Sequence, residues 1–279
     1  MNKLTSVFGS IALSSVIFTS VSHSNTHQVT AETTDTSSLS LVANGEDFVR
    51  QGFVSKDGWQ IDFEKVYVNL ASATAYAVDA TFNPQKGDTK SAIDYQEKVN
   101  LLEQTKTVDL AEGEAEAAPI LVSQSNAPEN FYNALSFQLD TAGSDSAIAG
   151  KTIALIGTAS KNGETVNFNL GFNRPIEYVC GEFIGDERQG IVTPETSGKV
   201  EATFHFDHIF GDADTPATEA LNQDALGFQP LATLASNGTL EMQDTELAEQ
   251  LSASDYQKLS TAIASLGHVG EGHCVINEE

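Results

Sequence analysis

Apolar residues recur at every second position through long stretches of this chain, the period of a strand that buries one face. After Gly58, Trp59, Ile61 and Phe63 share one phase, whereas Val66, Val68 and Leu70 share the other. The alternation therefore slips by one residue near Glu64 and Lys65, which predicts a bulge or bend inside one long strand. Residues 48–54 read as a further strand before the Gly58 turn. Shorter strands are predicted at 119–122, 134–139, 152–157 and 165–171, then in the segment RPIEYVCGEF and at 190–193. The cleanest alternation begins at Gly198, where Val200, Ala202, Phe204 and Phe206 oppose Glu201, Thr203, His205 and Asp207. Around Val99, Leu101 and Leu102 the pattern weakens to a helical stretch or a loop.

Helical periodicity enters late. A short helix is predicted within 216–226, and the turn at 227–230 interrupts it. Tyr256, Leu259, Ile263 and Leu266 then fall at spacings of three, four and three. That is one face of a helix over 253–266, with Ser252 as its N-cap and Gly267 as its stop. Many strands followed by terminal helices predict a mainly β fold over 46–279. The reading is one β-sandwich-like domain with a short C-terminal helical segment and a Gly/His tail; α+β and β-barrel folds are the alternatives.

The N-terminus adds a compartment. Lys3 precedes an uncharged run from Leu4 to Val21 that is interrupted by hydroxyls, so residues 1–31 read as a signal peptide with cleavage after Ser22 or Ala31. Residues 32–45 offer little apolar surface and read as a disordered leader. No later stretch approaches the length of a membrane span, so the mature chain is expected to be secreted or periplasmic.

Composition narrows the partners. The chain carries 39 acidic and 14 basic residues, a formal charge of −25. Such a surface repels nucleic-acid backbones, and no basic patch offsets it. The two cysteines, Cys180 and Cys274, are expected to pair in an oxidising compartment. Their bond would close a loop of about 94 residues.

Histidine is the remaining signal. Apart from His23 and His27 near the N-terminus, the histidines lie in two short motifs, HFDHIFGDAD at 205–214 and GHVGEGHC at 267–274. Imidazole with carboxylate suits divalent transition metals, so His205, Asp207, His208, His268 and His273 are the candidate ligands. Strand geometry puts His205 and Asp207 on one face, with His208 in the opposite phase near the strand end, where a twist or bulge could redirect it. Zinc is favoured because it needs no redox machinery; copper and iron are alternatives. Calcium at Asp212 and Asp214 is weaker, because Pro216 breaks the ligand order of a calcium loop. Three function classes follow: an exported metal-binding protein, a metal-dependent hydrolase with Asp207 or Glu271 as base, and an extracellular ligand-binding or adhesion domain without metal. The nucleophile elbow G-x-S-x-G, the zinc-protease helix H-E-x-x-H and nucleotide-binding glycine loops are absent.

Overall fold

The long strand expected after Gly58 is the spine of the molecule. It runs Gln60–Val78, and its register against Ile153–Lys161 shifts between Phe63 and Lys65, where the apolar phase changes. Pairing with Ala134–Leu139 continues along its second half. The computed structural model describes residues 37–79, 82–181, 190–270 and 272–277, with backbone alone at Gln85 and His273. The expected signal segment, the first residues of the expected leader and Glu271 lie outside that set. The described residues belong to one compact unit spanning Asp35–Glu279.

Two sheets make the body. Ten strands form the larger one, built around Gln60–Val78, whose first half pairs with Ile153–Lys161 and leads on to Glu164–Phe172, and whose second half pairs along the same edge with Ala134–Leu139 and leads on to Ile176–Cys180. The smaller has five, ordered Gly272–His273, Gly267–Val269, Gly198–Phe204, Ser38–Asn44 and Ile120–Asn126. One continuous apolar core joins residues of both sheets. Phe137 of the large sheet meets Phe204 of the small one edge-on, with ring centroids 5.8 Å apart, and Phe63 meets Phe206 at 6.2 Å. The fold is mainly β and sandwich-like, with a few short helices and no closed barrel.

Several local expectations need correction. Within the expected leader, Ser38–Asn44 is an interior strand of the small sheet, with Leu39, Leu41 and Ala43 fully buried. Three alternating apolar residues suffice there because strands flank it on both sides, parallel to Gly198–Phe204 and antiparallel to Ile120–Asn126. Residues 48–54 are not one strand: Glu46–Gln51 is a helix, followed by the two-residue strand Phe53–Val54. The expected helix or loop near Val99 is the strand Tyr95–Leu102, paired with the end of Gln60–Val78. The late helix spans Ala253–Ala264, and Ser252 Oγ accepts a hydrogen bond from the Asp255 amide at 3.1 Å, as its N-cap role requires. Leu266 falls beyond the helix, where it is still buried and leads into Gly267–Val269.

Cys180 and Cys274 are disulfide-bonded. Cys180 ends a strand of the large sheet, and Cys274 directly follows the His-bearing hairpin of the small sheet. The bond therefore fastens that hairpin across the sandwich.

Candidate metal centre

The site forms where two parallel strands end. Ser38–Asn44 and Gly198–Phe204 run side by side, with Asn44 opposite Thr203, so Glu46 and His205 emerge at the same edge. After Phe204 the chain stops reading as a strand. Phe206, Ile209 and Phe210 are all fully buried, and their spacing of three and one is helical. The short helix Asp207–Phe210 follows, and the His208 amide donates to the His205 carbonyl at 3.3 Å. That turn brings His208 back to the side occupied by His205. The redirection allowed for at the strand end is this helical turn, because the strand stops at Phe204.

The third imidazole comes from the C-terminal motif. GHVGEGHC is a hairpin rather than a loose loop: Gly267–Val269 pairs with Gly272–His273 and also with Thr203 and Phe204. Gly267 has a steric reason to lack a side chain, since a Cβ there would sit 2.5 Å from the Tyr178 ring. That contact lets the hairpin lie close over the large sheet. Thr203 Oγ1 accepts the Gly270 amide at 3.0 Å, which pins the hairpin turn to the neighbouring strand. His268 is consequently held at 2% exposure.

The three rings meet. His205 stacks on His268 with centroids 4.0 Å apart and planes 12° from parallel. His208 stands edge-on to both, 5.7 Å from His205 and 5.1 Å from His268. One potential ligand nitrogen from each ring lies within 4.8 Å of the others. Three imidazoles contributed by a strand end, a helical turn and a hairpin thus come together in one cluster. His208 Nδ1 shares a hydrogen bond with Ser265 Oγ at 3.2 Å, which orients that ring from the end of the Ala253–Ala264 helix.

Carboxylates surround the rings. Glu46 Oε1 lies 3.5 Å from His205 Nε2, with the two side chains 28% and 13% exposed. Glu46 and Asp207 both lie outside the mutually close group, but Asp207 Oδ1 is buried and has no hydrogen-bond partner among the described residues. The backbone of His273 stands opposite His268 in the hairpin. At the weaker calcium candidate, Asp212 is already engaged: its carboxylate accepts the Asp214 amide at 2.9 Å and the Thr215 hydroxyl at 3.3 Å.

Glu46 is the residue that sequence reasoning missed. Its signal was the Asn44-Gly45 pair closing an alternating run, a turn marker at the end of a strand. A cavity of about 460 Å³ borders His208, lined further by Ala220, Leu221, Asp224, Thr261, Ala262 and Ser265. Among the described residues no helix is long and apolar enough to cross a membrane. Fold and site together define a class: an acidic, disulfide-bonded β-sandwich with a three-histidine cluster of metal-binding form. Compared with known protein families, curated proteins and solved structures, the chain matches none.

Proposed function

We propose that this is an exported protein that binds one divalent transition metal, with His205, His208 and His268 as the core of the ligand set. The observation that carries the proposal is the convergence of three imidazoles whose ligand nitrogens lie within 4.8 Å of one another. The donor chemistry fits zinc first: neutral imidazoles with a nearby carboxylate form the usual shell of a d¹⁰ ion. Copper and iron accept the same donors. With Nδ1 engaged by Ser265, Nε2 is the nitrogen that His208 would offer. Asp207 and His273 are the further candidates from the two motifs, and Asp207 brings a buried oxygen that lacks a hydrogen bond. Export is supported by the charged and apolar N-terminal segment together with the Cys180–Cys274 bond, which an oxidising compartment maintains.

Calorimetric titration of the metal-stripped protein with zinc tests this reading. One equivalent should bind the wild type, and His208→Ala and His268→Ala should each weaken binding by at least about tenfold. Undiminished binding in both variants would reject the site. A metal-dependent hydrolase is the second reading, favoured by the cavity beside His208. A catalytic ion keeps a coordination position for water or substrate, and such a cavity would hold the substrate's apolar part. Ligand binding without metal predicts occupation of that cavity in the metal-stripped protein.

A further inference from the structure

We infer that Glu46 is the fourth protein ligand of the metal, closing the three-histidine cluster into a His₃Glu shell; the inference rests on the metal reading above. Two independent observations point to it. The first is placement. In a tetrahedral shell with ligand bonds of 2.0–2.1 Å, neighbouring donor atoms stand about 3.3 Å apart. Glu46 lies outside the mutually close group of the three imidazoles, but its Oε1 is 3.5 Å from His205 Nε2, close to that edge and at the outer limit of a hydrogen bond.

The second is backbone strain. Glu46 has φ of 65°, the left-handed region that an L-residue with a long side chain seldom enters. Glycine takes this conformation without penalty, and Gly45 immediately precedes it with an ordinary φ of −112°. The conformation is held locally: the Glu46 amide donates to Asn44 Oδ1 at 3.1 Å, and Asn44 Nδ2 donates to Glu201 Oε1 at 3.0 Å. A strained residue kept beside an imidazole cluster, when glycine would relieve the strain, indicates that its carboxylate has work to do there. That work is to supply the anionic donor which three neutral imidazoles lack, cancelling one of the ion's two charges. A protein-filled fourth position favours a binding or structural role over hydrolysis at this ion.

Cobalt(II) serves as the spectroscopic probe, added to the metal-stripped full-length protein and to Glu46→Gln, Glu46→Gly and His208→Ala. The wild type should bind one cobalt with the intense visible bands of a four-coordinate site. Glu46→Gln, nearly isosteric, should lose at least about tenfold in affinity and shift those bands as water replaces the carboxylate. Glu46→Gly should lose the same affinity, while its metal-free form melts about 2–4 °C higher because the strain is gone. Weaker binding with unchanged bands in Glu46→Gln would make Glu46 a positioning neighbour of His205 and overturn the ligand assignment. Unchanged affinity and bands, alongside lost binding in His208→Ala, would overturn the role of Glu46 and leave the histidine site standing. A metal-free Glu46→Gly that melts lower than wild type would overturn the strain argument. Absence of cobalt and zinc binding in the wild type would overturn both readings.

Discussion

The large sheet and the histidine corner obey different rules. Gln60–Val78 pairs along most of its length on both edges, so each segment is supported by more than one neighbour. The first of its register shifts falls where the sequence changes phase. At the corner, support is single and conditional. Glu46 occupies a strained φ, Gly267 is pressed against Tyr178, and the hairpin is held by a short pairing with Thr203 and Phe204, the Thr203 hydroxyl and one disulfide. The comparison teaches that the body is specified by a repeated pattern, whereas the site is specified by individual exceptions to it. Damage to the body should therefore cost stability without selectively affecting metal, and damage to the corner should couple the two.

The largest expected effect sharpens that contrast. Replacing both Cys180 and Cys274 by serine removes a constraint across 94 residues, which loop entropy values at about 4–5 kcal/mol. Melting should fall by about 10 °C or more, and zinc affinity should fall with it, because the His268 hairpin loses its anchor. Unchanged zinc affinity in the folded variant would show that the hairpin is held by the sheet alone.

Phe137→Ala attacks the body instead. Phe137 is fully buried between Tyr178 and Phe204, with centroid distances of 5.0 and 5.8 Å. Chemical denaturation should show a loss of about 3–5 kcal/mol. Zinc affinity, measured where the variant remains folded, should stay within about threefold of wild type. A tenfold loss there would erase the distinction between the two regions.

Gly267→Ala should sit between them. Its new methyl would meet the Tyr178 ring at 2.5 Å, an overpacking that costs about 1–3 kcal/mol. Because the next residue is His268, zinc affinity should drop disproportionately. A variant that loses stability but binds zinc as the wild type does would refute the positional role of Gly267.

These contrasts explain which features could be read from the chain. The alternation of Trp59, Ile61 and Phe63 against Val66, Val68 and Leu70 announced both the spine strand and its bulge, because repeated burial leaves a period in the sequence. The N-cap at Ser252 and the two His-bearing motifs were legible for the same local reason. Ser38–Asn44 was not, since a short run rich in serine gains its buried face only from strands far away in sequence. The direction of His208 stayed open because the apolar alternation from Val200 runs on through Phe206, whereas Ile209 and Phe210 already follow a helical spacing. Glu46 was hard to single out among 39 acidic residues, since the Asn44-Gly45 pair marks a turn before it but says nothing of what its carboxylate meets.

The smallest effect lies in the body and concerns alkali. Burial raises the Tyr132 hydroxyl from 10.0 to about 12, and that group donates to the Pro128 carbonyl at 3.0 Å. Buried Tyr178 is raised in the same direction. A raised tyrosine stabilises the fold fully below its unfolded value and loses that contribution as pH climbs towards its folded one. Stability should therefore decline between about pH 10 and 12, and Tyr132→Phe should flatten part of that decline. An identical alkaline slope in the variant would contradict the assignment.

The most direct test of the central claim is an anomalous-scattering map from crystals of the zinc-loaded protein, recorded on both sides of the zinc edge. The account predicts one strong peak within about 2.0–2.1 Å of a nitrogen from each of His205, His208 and His268. A map without a peak at that cluster, or with its zinc held instead by Asp212 and Asp214, would contradict it.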